Sequence, residues 1–105
     1  MIAIARACRR EIEELPQLIR EDLADAIARL EQGLSLAMPL SRPMPSVGRG
    51  VHELRLRDPS GSYRIFYAMG GQNRIVVLHA FKKKSEQTPF RVIELVRRRI
   101  KEALI

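Results

Sequence analysis

Between Val51 and Asp58 the sequence VHELRLRD alternates strictly, with Leu54 and Leu56 on one side and Glu53, Arg55 and Arg57 on the other. A strand has a side-chain period of two, so this stretch buries one face and offers a largely cationic one. Asp58-Pro59-Ser60-Gly61 follows as turn chemistry: proline pre-sets φ and glycine permits positive φ. Tyr63 to Tyr67 is a second β-rich run, and Gly70-Gly71-Gln72-Asn73 reads as a second turn. Ile75-Val76-Val77-Leu78 is apolar without alternation, as expected of a central strand covered on both faces. Three consecutive strands joined by short turns imply an antiparallel meander, and the rest of the chain reads as its support.

Upstream, Ala5, Cys8, Ile12 and Leu15 recur at helical spacing, with Arg9, Arg10, Glu13 and Glu14 on the opposite side. Pro16 ends that helix or opens the next, which runs to about Gln32 with Ile19, Leu23, Ala26, Ile27 and Leu30 as its apolar stripe. Gly33 is placed to terminate it. Cys8 falls on the apolar stripe and reads as a packed residue, with nothing beside it to activate a thiolate. Residues 34–49 contain three prolines and no sustained period, which predicts an irregular connection with Leu36, Met38 and Met44 packed down. Thr88-Pro89 predicts a helix start, a capping residue followed by proline at the first helical position. Val92, Ile93, Val96, Ile100, Ala103 and Leu104 form the stripe of this last helix, and Arg97, Arg98, Arg99 and Lys101 crowd its C-terminal turns. Met1 to Ala5 leave room for a short N-terminal strand. The expected fold class is therefore α+β: two N-terminal helices packed on an antiparallel three-strand meander, and a C-terminal helix. All 105 residues form a single domain in this reading.

Charge narrows the function. The formal net charge is +7, and it is lopsided. Residues 1–50 carry seven basic and seven acidic side chains, whereas residues 51–105 carry twelve and five, so the whole excess lies in the strands and last helix. Such a field attracts a polyanion, nucleic acid above all, with an acidic protein as the other fit. No apolar run approaches the roughly 20 residues that span a bilayer, so no membrane partner is expected. Arg6, Arg9 and Arg10 interrupt any signal-peptide pattern, and the single cysteine suits a reducing cytoplasm; a cytoplasmic location is expected. No Cys/His spacing or acidic cluster suggests a metal, and no cofactor is expected.

The segments GRGVHELRLRD, GSYRIFYAM and RIVVLHAFKKKSEQTP resemble the RelE/HigB group of toxins, and more closely its phage-derived HigB-like branch. Members share an ELR strand, a YRIxY strand and an LHxFxKKxxxTP ending, and the similarity spans about residues 36–104. It implies a RelE-like fold and a small toxin of a type II toxin–antitoxin pair. Such toxins enter the ribosomal A site and cut mRNA, and a cognate antitoxin neutralises them. The implied partners are thus the ribosome, mRNA and an antitoxin, expected to be a small helix-turn-helix protein.

Metal-free RNA cleavage uses the adjacent 2′-hydroxyl as nucleophile and needs a base, charge stabilisation on the phosphorane and an acid for the leaving 5′-oxygen. The resemblance places Arg55, Arg64 and Lys83 at positions that bear catalytic cations in RelE-like toxins. Arginine suits a bidentate grip on phosphate, and a lysine transfers protons where its surroundings lower its pKa. Arg57, Lys82, Lys84 and Tyr67 complete the expected RNA-binding set. Each has a plainer alternative: Arg57 and Arg74 as solvated strand-end cations, Arg64 as a structural partner of Glu53, Tyr63 and Tyr67 as core. Alternation sends Lys83 the opposite way from Lys82 and Lys84. His52 falls with Leu54 and Leu56 and reads as packed, and His79 shares parity with Val77 and Phe81 and stays ambiguous. Two functions fit this reading, a ribosome-dependent endoribonuclease and a non-enzymatic ParE-like toxin that inhibits DNA gyrase. A degenerate toxin kept as a binding module is a weaker third.

Overall fold

The alternating stretches do form strands. The structure, a computed structural model, describes residues 2–70 and 74–104, the last by its backbone alone. The elements are β1 (Ile2–Ile4), α1 (Cys8–Glu13), α2 (Gln17–Glu31), β2 (Ser41–Pro43), β3 (Val51–Asp58), β4 (Gly61–Met69), β5 (Ile75–Lys82) and α3 (Phe90–Leu104). The five strands make one sheet in the order β1-β5-β4-β3-β2. β3, β4 and β5 are the expected antiparallel meander, β1 joins β5 in parallel, and β2 pairs antiparallel with β3. The β3–β4 turn closes on Pro59 and Ser60, with Asp58 opposite Gly61 and the Asp58 carboxylate accepting the Ser60 N–H at 2.8 Å. The turn expected at Gly70–Asn73 lies mostly outside the described residues.

β2 corrects the expected irregular connection. Three residues with a proline carry no period that can be read, yet the Arg55 N–H donates to Leu40 at 2.8 Å and the Met44 N–H to Val51 at 2.9 Å. Proline is tolerated there because β2 is an edge strand. Leu36 and Met44 pack down as expected, whereas Met38 is 57% exposed and Leu40 takes its place in the core.

The sheet divides the core in two. On one face Leu54, Leu56, Tyr63, Ile65, Tyr67, Ile75 and Val77 meet Cys8 and Leu15 and the α2 stripe Ile19, Leu23, Ala26 and Leu30. On the other, Val51, Phe66, Ala68, Val76 and Leu78 meet Val92 and Val96 of α3. Both ends of α2 follow the local chemistry. Pro16 sits at its N-cap, and at its end the Gly33 N–H donates to Leu30 and the Leu34 N–H to Arg29, with Gly33 at φ 86°. This paired bonding is a Schellman motif, which glycine allows at no steric cost. α3 starts one residue later than expected. The Pro89 carbonyl accepts the Val92 N–H, so proline holds the cap position and Thr88 precedes it. The Leu104 side chain lies outside the described residues. No helix among the described residues is long and apolar enough to cross a membrane.

Candidate active site

α3 covers only part of its face of the sheet. The uncovered part is a groove of about 930 Å³, floored by β3–β5 and walled by α3 and residues 83–89. Its cross-strand register is regular. Arg55, Arg64 and Phe81 form one rung, since Arg55 pairs with Arg64 and Arg64 with Phe81. Glu53, Phe66 and His79 form the next, since Glu53 pairs with Phe66 and Phe66 with His79. Directly opposed residues on one face have Cβ atoms about 4.5–5.5 Å apart, so the two guanidinium stems start as neighbours.

Like charges at such a position repel unless an anion lies between them. Glu53 is that anion: one of its oxygens lies 3.6 Å from Arg55 Nε and 3.7 Å from Arg64 Nε. Both distances exceed a direct hydrogen bond, so these are ion pairs. Arg64 also donates to the Tyr63 carbonyl at 3.2 Å. Burial lowers its pKa, Glu53 pulls it back up and Arg55 lowers it further, a charge kept in place by its one acidic neighbour. Arg64 is thus a structural partner of Glu53 and also lines the groove.

Eight arginines and lysines line the groove against two glutamates, so its field is strongly positive. Lys82, Lys83 and Lys84 all contribute, contrary to the alternation expected of them. β5 ends at Lys82, and beyond it only the Lys83 N–H continues the ladder, donating to Ser62 at 2.8 Å. Without a strand there is no strand parity. Lys82 runs over the β3–β4 turn, where a Cβ on Gly61 would come within 2.8 Å of its Cε. Arg42, Arg91 and Arg98 also line the groove, outside the expected RNA-binding set: they come from β2 and α3, brought together only by folding.

Two expected RNA contacts do not reach the groove. Tyr67 is 3% exposed on the opposite face, where its hydroxyl and that of Ser41 share a 2.6 Å hydrogen bond. It is a core residue that ties β2 to β4, and this corrects its assignment as a base-stacking group. Arg57 lies exposed near the end of β3 and does not line the groove, which fits its alternative as a solvated strand-end cation. Arg74 is likewise exposed, and His52 stacks on Tyr67 with ring centroids 5.2 Å apart.

His79 keeps its parity with Phe81 but loses it with Val77. The ladder slips between Phe66 and Tyr67, which pair with His79 and Val77, so Leu78 is an extra residue. This bulge leaves Val77 in the first core and turns Leu78 into the second and His79 onto the groove. There the His79 ring stacks on Phe81 at 5.1 Å, and its Nδ1 lies 2.9 Å from Glu11 Oε1. Arg99 holds the same carboxylate in a two-pronged pair, at 2.8 and 2.9 Å. Burial pushes the Glu11 pKa up, but hydrogen bonds from His79 and Arg99 outweigh it and hold the carboxyl down to about 2. Cys8 lies beside this cluster, where burial first and the Glu11 carboxylate second push its thiol up to about 12. It is a protonated core residue, as its place on the stripe implied. Among the described residues no three His, Cys, Asp or Glu side chains converge as metal ligands.

The comparisons agree with this architecture. Residues 10–101 match the family described as Phage derived protein Gp49-like (DUF891). No curated protein matches significantly. Among solved structures, the fold is similar to that of the isolated E. coli RelE toxin in its crystal structure, with a TM-score of 0.57 and 19% identity over 93% of this chain and 96% of that one. A match over nearly the whole chain makes the protein a member of the phage-derived Gp49-like family, with a fold like that of the RelE toxin.

Proposed function

We propose that this protein is the toxin of a type II toxin–antitoxin pair, a ribosome-dependent, metal-independent mRNA endoribonuclease. The observation that carries the reading is the Arg55–Arg64 pair, opposed across two strands on the groove floor and held by one carboxylate. Two arginines held side by side by one carboxylate are preorganised for a phosphate. Their grip strengthens as the phosphorane gathers negative charge, which lowers the barrier rather than merely tightening binding. Lys83, half-buried where the strand ends, is a proton-transfer group on the same groove, and Lys82 and Lys84 track the RNA backbone. Arg42, Arg91 and Arg98 join them as phosphate contacts, whereas Tyr67 and Arg57 drop out. The fold shared with the RelE toxin supports a cognate antitoxin, and a helix-turn-helix protein with acidic or apolar surface against this groove is the proposed partner.

The test is mRNA cleavage on programmed ribosomes, with a thermal melt of each variant. Arg64→Ala, Arg55→Ala and Lys83→Ala should each lose roughly a hundred- to thousandfold in rate, the usual effect of removing one positioned charge, about 2.7–4 kcal/mol. Their folds should hold, because Glu53 keeps one arginine when the other is removed. Arg74→Ala should cleave normally. Leu54→Ala, at a site 1% exposed, should instead lose about 2–5 kcal/mol of stability. Inhibition of DNA gyrase with mRNA left intact would replace this reading with the ParE-like one.

A further inference from the structure

The Glu11–Arg99–His79 cluster does two things at once. β1 covers β5 only as far as Val77, so beyond it the edge of β5 has no strand partner. The Ala80 N–H on that edge donates to Glu11 at 3.2 Å, and the Leu78 carbonyl accepts from Arg99 at 2.8 Å. The ion pair thus satisfies the backbone where the neighbouring strand stops. That explains Glu11 and Arg99, but not why their third partner is a histidine that lines the groove.

Counting hydrogens assigns the histidine's state. Arg99 Nη1 carries two N–H bonds, and its two short contacts, 2.8 Å to Glu11 Oε1 and 2.8 Å to the Leu78 carbonyl, use both. Its 3.2 Å approach to His79 Nδ1 has no hydrogen left to share. The 2.9 Å contact between Nδ1 and Glu11 is therefore Nδ1–H donating to the carboxylate. In the neutral imidazole, Nε2 then carries the lone pair. Among the described residues Nε2 has no hydrogen-bond partner, and none of their buried side-chain nitrogens or oxygens is unsatisfied, so Nε2 meets solvent. His79 is otherwise only 8% exposed, and the opening it meets is the groove.

We infer that His79 is the general base of the groove, with Glu11 as its positioning residue. The inference rests on the endoribonuclease reading. His79 stands diagonally across from Arg64, one strand over and one rung along, a placement that sets such residues about 7–8 Å apart and their Cβ atoms somewhat closer. That separation suits a phosphate at the arginines with its ribose toward the histidine. Nε2 takes the proton of the 2′-hydroxyl as that oxygen attacks phosphorus. The bond from phosphorus to the 5′-oxygen breaks, and that oxygen leaves with a proton from Lys83. The products are a 2′,3′-cyclic phosphate and a 5′-hydroxyl, and each residue then returns to its starting state by exchange with water. Glu11 faces the imidazolium that forms, as the third member of a catalytic triad does. The charged and titratable groups around His79 are Glu11 and Cys8 from α1, Arg99 from α3, and Arg64 and Glu53 across the sheet.

Two measurements test this. The first is single-turnover mRNA cleavage on programmed ribosomes across pH, for wild type and His79→Gln. Wild type should show a rate that rises with pH through one ionisation, and His79→Gln should lose at least about a hundredfold together with that ionisation. Added imidazole should restore part of the rate to His79→Ala. If His79→Gln cleaves with the wild-type rate and profile, the base assignment is wrong and the endoribonuclease reading stands. If wild type does not cleave, both fall. The second needs no variant and no activity: the imidazole ¹⁵N shifts of His79 in the wild-type protein at neutral pH. They should report the Nδ1–H tautomer, and an Nε2–H tautomer would overturn the assignment even if the variants fail to fold.

Discussion

At the scale of single residues, the chain holds its buried charges in two clusters that work differently. Glu53 lies between two arginines at ion-pair distance, without a direct hydrogen bond from either, so the guanidinium edges stay available. Glu11 is gripped: Arg99, His79 and the Ala80 N–H all reach it within 3.2 Å. That grip sets the titration of Glu11. Glu11 is lowered from the ordinary 4.5 to about 2, and a carboxylate depressed on folding adds stability that is full above its unfolded pKa. That contribution disappears as pH falls through the folded value. Glu11→Gln should accordingly destabilise the protein at neutral pH by about 1.5–3 kcal/mol, the range for hydrogen bonds to a charged group. The gap between the two proteins should narrow from about pH 4.5 downwards and nearly close by pH 2. Chemical denaturation of both across that range checks this, and a gap independent of pH would mean the carboxylate's charge is irrelevant to folding.

At the scale of elements, the sheet's two edges are finished by opposite means. β2 closes one edge with three residues, Ser41, Arg42 and Pro43, which exclude further pairing by charge and by a missing N–H. On the other edge β1 stops early and side chains from α1 and α3 complete it. α3 is pinned over the sheet a second time by Arg97, which donates to the Ser46 and Val47 carbonyls at 2.6 and 3.2 Å. β3 begins just after this anchor. Gly50 fixes that point: its φ is +75°, and a Cβ there would come within 2.9 Å of the Met69 carbonyl oxygen. Gly50→Ala should cost about 1–3 kcal/mol through the left-handed backbone alone, with the carbonyl clash added. A thermal melt showing an unchanged midpoint would mean that β3 and β4 can shift at this end without penalty.

At the scale of the whole molecule, the positive excess of residues 51–105 becomes a surface. These residues bring seven of their twelve cations to one groove, while Glu13, Glu14, Glu21, Asp22, Asp25 and Glu31 stay exposed on the helices of the other side. A polyanion is thus drawn to one face. Binding to ribosomes or to single-stranded RNA should weaken steeply with salt, because each neutralised phosphate releases condensed counterions, with a slope near −0.7 per phosphate contact for a single strand. Removing Arg42 or Arg98 should make that slope shallower by about one contact each, whatever the RNA sequence. Fluorescence titrations across a salt series give both slopes. Equal slopes for wild type and variants would place the RNA on another surface.

Much of this was fixed locally. The alternation of VHELRLRD, the turn at Asp58–Gly61, the α2 stripe and the unbroken run of β5 determined the meander and its helices, because side-chain period and turn stereochemistry act between near neighbours. The same alternation put Glu53 and Arg55 on one face, and Arg64 followed on the next strand. What folding alone decided needed partners distant in sequence. Tyr67 fell to the core because Ser41, 26 residues away, met its hydroxyl across β3. The β2 pairing depended on β3 offering an edge to three residues that have no period of their own. His79 reached the groove through a one-residue bulge, which no periodicity announces because it breaks the period being read. Its state was then set by Glu11 and Arg99, 68 and 20 residues distant, through hydrogen bonds whose geometry exists only once α1, β5 and α3 are packed.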